Sequence, residues 1–261
     1  MPQISAVLIT YNEENFIGKC LDSLKGIADE IVVVDSFSTD RTEEICKQHN
    51  ARFFKHSFNG FSDQKKYALQ FATYNHIISL DADEALSEEL RKSILEVKEN
   101  WKYDGYFVNR RNNYCGKWIN HSGWYPDRQM RLFRVEAGAW GELNIHERFI
   151  LHKGKIAGRL EGDLLHWSFV TVAKHVEKIK RYTEISAQEY HKAGKKSSFF
   201  SPFIHGFWIF FRTYIINAGF LDGKEGYFIC SLNGKSTYNK YKRLRILNKQ
   251  KKASQNNTND F

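Results

Sequence analysis

The first hundred residues alternate short apolar runs with amphipathic stretches, and this order limits the fold more than any other property of the chain. Ile4–Ile9 is predicted as a strand, and Glu13 to about Leu24 as a helix with Phe16, Ile17, Cys20, Leu21 and Leu24 on one face. Glu30–Val34 is a second strand ending at Asp35. Ser38-Thr39-Asp40 then offers N-cap chemistry for a helix through about His49. Arg52–Lys55 is a short strand, Asp63–Thr73 a helix, His76–Leu80 a strand and Ser87–Asn100 a helix. Strand and helix alternating in this way predict an α/β fold, a doubly wound and mostly parallel sheet with right-handed crossovers.

The fourth strand ends in Asp81-Ala82-Asp83-Glu84, three acids within four residues. Open α/β sheets bind ligands at the carboxyl ends of their strands. Carboxylates this close raise one another's pKa unless a cation sits among them. A hard divalent ion, Mg²⁺ or Mn²⁺, carrying a substrate's phosphates suits such a cluster. The competing reading is a strand end followed by a helix N-cap at Ser87-Glu88-Glu89. Two further strand ends, Thr10-Tyr11-Asn12-Glu13 and Asp35-Ser36, converge on the same crevice. There Asp35 can accept a hydrogen bond from a base N–H or a ribose hydroxyl, while Asp83 holds the metal.

No Gly-x-Gly-x-x-Gly follows the first strand, and the chain has no Gly-rich loop ending in Lys-Ser/Thr. Dinucleotide oxidoreductases and P-loop enzymes are therefore disfavoured. A nucleotide without a Gly-rich cradle needs another neutralising partner, and Lys65 or Lys66 on the third helix can assist the metal. For each lysine the plainer reading is a solvated helix face.

After Trp101 the pattern changes. Gly105–Asn109 and Gln129–Val135 are strand-like, with a Trp-, Tyr- and Gly-rich segment between them, and short strands alternate with loops from Gly138 to Trp167. Val170–Ala193 reads as a charged helix, and Phe199–Leu221 is strongly aromatic. At 261 residues the chain can hold a large α/β domain with an appendage. Cys20, Cys46, Cys115 and Cys230 are widely spaced, which argues against a zinc site or disulfide framework and fits a reducing compartment. Met1 leads directly into the first strand, so no signal peptide is expected. The net charge of +9 owes most to residues 235–252, which hold eight Lys or Arg and no acid. Positive charge piled into one segment does not suit a nucleic-acid reading face, so no nucleic-acid partner is expected.

Three ordered motifs, Ile9-Thr10-Tyr11-Asn12-Glu13-Glu14, Ile31 through Thr42 (IVVVDSFSTDRT) and Leu80-Asp81-Ala82-Asp83-Glu84, carry a closer comparison. In order and spacing the chain resembles family 2 glycosyltransferases of the GT-A fold. Trp124-Tyr125-Pro126-Asp127-Arg128-Gln129-Met130-Arg131 and His146-Glu147 extend the likeness to small bacterial enzymes that add sugars to the lipopolysaccharide core. The likeness covers residues 3–170 well and the remainder loosely. One departure is Lys66, where many relatives carry Asn.

The resemblance implies a GT-A catalytic domain over 1–170, divided into a nucleotide-binding half (1–100) and an acceptor half (101–170) with a small antiparallel sheet. A helical extension (171–250) and a disordered tail (251–261) complete the expected organisation. It further implies a UDP-sugar donor, probed by Thr10, Tyr11, Glu13, Asp35, Lys65 and Asp81, with Mg²⁺ or Mn²⁺ on Asp83 and His166. Glu147 is then the base that activates the acceptor hydroxyl, with Asp127 its rival, and the displacement inverts the anomeric carbon. His166, flanked by apolar residues, also suits a satisfied core position. Trp118, Trp124, Tyr125 and Trp140 offer rings for stacking on sugars, or simply fill the core.

The implied reaction moves a hexose, glucose first among them, to a lipid-linked saccharide; capsule, exopolysaccharide or protein acceptors are the alternatives. A sugar-nucleotide nucleotidyltransferase is a remoter reading, since the loop after the first strand lacks its Gly-rich, basic sequence. Pro202, His205, Arg212 and Asn217 make Phe199–Leu221 a poor membrane span. An interfacial helix followed by a basic tail, resting on an anionic membrane, is the expected alternative to packing on the catalytic domain. The expected location is cytoplasmic, peripheral on the inner face of a bacterial inner membrane.

Overall fold

The computed structural model describes residues 1–141 and 148–258, with side chains as far as Lys251. It divides into two compact units, Met1–Asn112 with Pro126–Ser168, and Asn113–Tyr125 with Phe169–Phe261. The segment 113–125, expected within the acceptor half, thus falls in the second unit.

The first unit is α/β. Its strands are β1 (Ile4–Thr10), β2 (Glu30–Asp35), β3 (Arg52–Lys55), β4 (His76–Asp81), β5 (Glu84–Leu86), β6 (Gly105–Tyr114), β8 (Asp127–Arg134) and β11 (Ala157–Phe169), β6 and β11 each running a residue or two into the second unit. They lie in the order β3-β2-β1-β4-β8-β6-β11-β5. The first four are parallel, and β8 joins β4 antiparallel, so the doubly wound half continues into an antiparallel half. A separate antiparallel pair, β9 (Gly138–Trp140) with β10 (Phe149–Leu151), forms the small second sheet.

Alternation along β1 explains the layers. Ile4, Ala6 and Leu8 face one side and pack with Ile17, Cys20 and Leu21 of α1 (Ile17–Ser23) and Leu90 and Ile94 of α4 (Glu88–Glu99). Val7 and Ile9 face the other, with Ala68 of α3 (Phe61–Leu69), Phe133, Trp140 and Phe149. The helix expected from Glu13 starts only at Ile17, because Glu13–Phe16 forms a turn in which Phe16 and Ile17 donate to the Glu13 carbonyl. In the turn leading to α2 (Thr42–Gln48), Asp40 accepts from the N–H groups of Thr42 and Glu14.

Thr10 is paired with Asp35 across β1–β2, and Ile9 with Asp81 across β1–β4. The carboxyl ends of three neighbouring strands therefore lie side by side, where β1 separates chain connections running in opposite directions. That is the switch point at which open sheets bind ligands. Next to the edge strand β5, β11 is anchored to the start of α4: Ser87 N–H donates to the Asp163 carbonyl and Asp163 N–H to Ser87 Oγ. Gly162 makes this approach possible, since its φ is +84° and a Cβ there would collide with the backbone of Glu89 and Leu90.

The second unit is helical. A hairpin pairs Asn113 with Trp118 and Tyr114 with Lys117 of β7 (Lys117–Trp118), and its core gathers Tyr114, Ile119, Ile229, Trp124 and Phe169. Then come α5 (Val172–Lys192), α6 (Ser201–Phe211) and α7 (Gly223–Thr258). The aromatic stretch expected as one helix is broken: α6 passes into a π-turn at Arg212–Ile216, Ala218 takes a left-handed φ of 51°, and a 3-10 turn follows at Gly219–Asp222. The basic run 235–252 is also not a trailing tail but part of α7, which continues helical through residues 251–258. Among the described residues, no helix is long and apolar enough to cross a membrane.

Candidate active site

Asp81 closes β4, Ala82 and Asp83 turn the chain, and Glu84 opens β5, a strand the sequence reading missed. Glu84 is fully buried, and Ser87 caps the next helix as expected, accepting from Leu90 N–H. Glu84 Oε2 accepts from Asp81 N–H at 3.0 Å, and Oε1 meets Arg131 at 2.6 Å and Arg110 at 3.3 Å. The buried Glu84-Ala85-Leu86 run before the Ser87 cap was the available signal for the strand.

Asp81 is held by two cations, with Lys65 Nζ 2.9 Å from Oδ1 and Arg131 Nη2 3.1 Å from Oδ2. Burial alone would raise its pKa. The charges of Lys65 and Arg131 outweigh that and hold the carboxyl well below the usual range. Lys65 is 1% exposed and lies over the Trp140 ring at 4.9 Å, so it is not on a solvated face; Lys66 is. Arg131 was missed from sequence, although an arginine inside the buried run Met130–Phe133 signals a distant acidic partner.

Asp83 is half-buried, and His166 Nε2 stands 3.3 Å from its Oδ2. The β5–β11 register makes this meeting, pairing Glu84 with His166, while Trp167 N–H donates to the Asp83 carbonyl. His166 Nδ1 lies 2.6 Å from Asn112 Oδ1, which also accepts from Ser168 Oγ at 2.7 Å. An amide oxygen can only accept, so Nδ1 donates in this contact and Nε2 is the ring nitrogen turned toward the Asp83 carboxylate. An imidazole nitrogen and a carboxylate oxygen this close can share a cation, and Nδ1–H donated to an oxygen is the usual support of a metal-bound histidine. Carboxylate plus imidazole suits Mn²⁺ or Mg²⁺, which commonly take few protein ligands and complete their shell with substrate phosphates. Among the described residues, no group of three or more His, Cys, Asp or Glu is placed to hold a metal.

Thr10 is buried, and its Oγ1 has no hydrogen-bond partner among the described residues. Tyr11 is 58% exposed, Phe37 nearly as open, and Glu13 half-buried with its N–H on Thr42 Oγ1. Asp35, expected to meet the nucleoside, is fully buried and accepts from both the N–H and the hydroxyl of Ser38. Its carboxylate therefore anchors its own loop.

Asp127, the rival base, is bound by Arg110 at 2.7 Å and 2.9 Å, while its Oδ1 accepts from Gln129 at 2.7 Å. Glu147 and His146 lie outside the described residues. Trp140, expected against a sugar, is 4% exposed and packs edge-on to Phe133 and Phe149, which makes it a core residue. Trp124 and Tyr125 belong to the second unit, where Trp124 is half-buried against Tyr114, Phe169 and His175.

The strand order and the acidic turn at the switch point are those of an α/β enzyme with a ligand crevice at its strand ends. The chain belongs to glycosyl transferase family 2, whose profile matches residues 5–155. It is 28% identical to the lipopolysaccharide core biosynthesis glycosyltransferase LpsC of Rhizobium meliloti, over 91% of this chain and 93% of that one. An uncharacterized glycosyltransferase of Rickettsia typhi is 29% identical over 87% of this chain and 81% of its own. Among solved structures, glucosyl-3-phosphoglycerate synthase from Mycobacterium tuberculosis, in complex with Mn²⁺, UDP and glucosyl-3-phosphoglycerate, aligns at a TM-score of 0.37. Its identity is 22%, over 43% of this chain and 44% of that one. S. aureus TarS aligns at 0.41 with 16% identity, over 84% and 45%.

Proposed function

We propose that this glycosyltransferase moves a hexose from a UDP-sugar to a hydroxyl of a lipid-linked saccharide during lipopolysaccharide or cell-envelope glycan assembly, with inversion at the anomeric carbon. The donor reading is carried by the Asp83–His166 pair beside the strand-end crevice. The acceptor class is supported by the likeness to LpsC over nearly the whole of both chains.

Asp83 Oδ2 and His166 Nε2 would hold Mg²⁺ or Mn²⁺, which supplies neutralising charge to the departing diphosphate. Asn112 and Ser168 keep the imidazole turned toward that position. Lys65 and Arg131 keep Asp81 ionised and fixed, so that the turn at Ala82–Asp83 keeps its shape. Thr10 and Tyr11, with the loop that Asp35 and Ser38 secure, border the nucleoside.

In the reaction the acceptor oxygen attacks the anomeric carbon as the bond to the diphosphate oxygen breaks. Glu147 takes the hydroxyl proton, and Asp127 serves less well because Arg110 and Gln129 already occupy its oxygens. The enzyme works at the inner face of the membrane, where its acceptor lies. A thermal-shift panel of UDP-, GDP- and TDP-sugars with Mn²⁺ tests the reading. UDP-glucose should raise the melting temperature most, and a response to GDP- or TDP-sugars alone would overturn the donor assignment.

A further inference from the structure

We propose that the helical unit carries a docking site for anionic phospholipid, a cationic headgroup cavity that continues onto an exposed aromatic helix face. The inference deepens the membrane part of the function proposed above and rests on it only for the biological acceptor.

The cavity, of about 840 Å³, lies between the end of α5, the segment 194–199 and the distal part of α7. Lys196, Arg245, Lys249 and Lys251 line it together with His191, and among the described residues no Asp or Glu does. None of those four cations has a carboxylate within 4 Å among the described residues. Four like charges around one space are costly unless an anion enters. The walls are built rather than incidental: His191 Nδ1 meets Asn248 Oδ1 at 2.9 Å, Asn248 Nδ2 donates to the Lys195 carbonyl, and Ser197 Oγ donates to the Tyr241 carbonyl.

Phe199 links this cavity to the apolar face. It lines the cavity, lies under the Arg245 guanidinium at 4.9 Å, and contacts Phe200 and Phe203 at ring distances of 5.3 Å and 6.2 Å. From there α6 shows two distinct sides. Pro202 and Gly206 are buried, and a Cβ on Gly206 would come within 3.0 Å of Tyr238 and 3.1 Å of the Gly234 carbonyl on α7. The opposite side presents Ile204, Phe207, Trp208 and Phe211, all exposed, with Phe207 at 68%, and Phe203, also exposed, borders it with one ring edge on Tyr238 of α7. Exposed Ile215, Ile216, Phe220 and Leu221 carry the face past the helix break. Monomeric soluble proteins seldom leave so continuous an apolar face in water.

Charge complementarity selects the occupant. A bilayer interface offers phosphates at headgroup depth and hydrocarbon just below, matching cations beside rings. A second copy docked by two-fold symmetry would oppose the same cations to themselves. A nucleic acid would answer the charges and leave the aromatic face in water.

Flotation of the full chain with vesicles tests the site. The chain should float with phosphatidylglycerol vesicles at low salt and stay behind with phosphatidylcholine. Lys196→Glu with Lys249→Glu should lower partitioning by more than about tenfold. Phe203→Ser with Phe207→Ser, changing only exposed side chains, should do the same while the UDP–Mn²⁺ thermal shift persists. No flotation by the unmodified chain, equal flotation with phosphatidylcholine, an effect of neither pair, or a dimer that hides these residues instead would overturn the proposal. Flotation without a UDP–Mn²⁺ thermal shift would instead sink the donor reading and leave the lipid site standing.

Discussion

His166 Nε2 and Asp83 Oδ2 face each other at 3.3 Å, and neither residue reaches that position by its own local sequence. Asp83 sits in the two-residue turn between β4 and β5. His166 arrives some eighty residues later on β11, fixed by its pairing with β5 and by the exchange of hydrogen bonds between Asp163 and Ser87. Gly162 and the α4 N-cap are thus part of the machinery that sets this distance.

Asn112 is a positioning residue for the histidine, since its Oδ1 fixes the Nδ1–H tautomer. Asn112→Ala should weaken Mn²⁺ binding in the presence of UDP by about 10–100-fold. UDP binding without metal should change little. Isothermal titration with and without Mn²⁺ separates the two, and an equal loss in both would make the role merely structural.

The two aspartates of the turn should respond differently to neutralisation. Asp81→Asn leaves Lys65 buried beside an amide, and loss of one partner of a buried pair costs about 3–5 kcal/mol. Asp83→Asn removes a half-buried carboxylate whose one ion-pair partner among the described residues is His166, and should leave the melting temperature nearly unchanged. Denaturant unfolding of the two variants reads the difference, and equal stabilities would contradict the assignment of Asp81 as the electrostatic anchor.

Base assignment is open to a direct comparison. Glu147→Gln should retain UDP binding and reduce transfer by about 10²–10⁴-fold. Asp127→Asn should cost far less, its carboxylate being held by Arg110. Rates in the reverse order would make Asp127 the base.

His175 gives the second unit a pH dependence. Burial, aided by the charge of Lys178, lowers its pKa from an ordinary 6.5 to about 4, and its Nδ1 meets the Tyr114 hydroxyl at 3.1 Å. The folded state binds this proton less readily than the unfolded chain. The stabilisation is therefore complete above pH 6.5 and is lost as the pH falls toward 4. The loss is on the order of 3 kcal/mol. Trp124, 5.7 Å from His175, provides the fluorescence signal, and His175→Phe should flatten its unfolding profile between those limits.

The sequence was most informative where function follows from short-range order. The parallel half and the strand-end positions of Thr10, Asp35 and Asp81 were legible from apolar runs and motif spacing, whereas a link between Asp83 and His166 was implied only by the family resemblance. What it concealed depended on long-range contacts. Lys65 looked like a solvated helix residue because nothing near it in the chain reveals Asp81 or Trp140. Asp35 looked like a ligand residue because its capture by Ser38 depends on a left-handed Phe37. Trp140 fitted a sugar platform until β9–β10 folded it against Phe133 and Phe149. The basic run near the carboxyl end carried no helical stripe of its own, and its helix forms by packing with α5 and α6.

The most direct test is a Mn²⁺ titration followed by electron paramagnetic resonance, with and without UDP, on the unmodified chain and on Asp83→Asn. With Asp83 and His166 the pair offered to the metal among the described residues, binding should be weak alone, tighten strongly with UDP, and lose that tightening in Asp83→Asn. Mn²⁺ binding that ignores UDP, or that survives Asp83→Asn unchanged, would contradict a metal held between this pair and a nucleotide diphosphate.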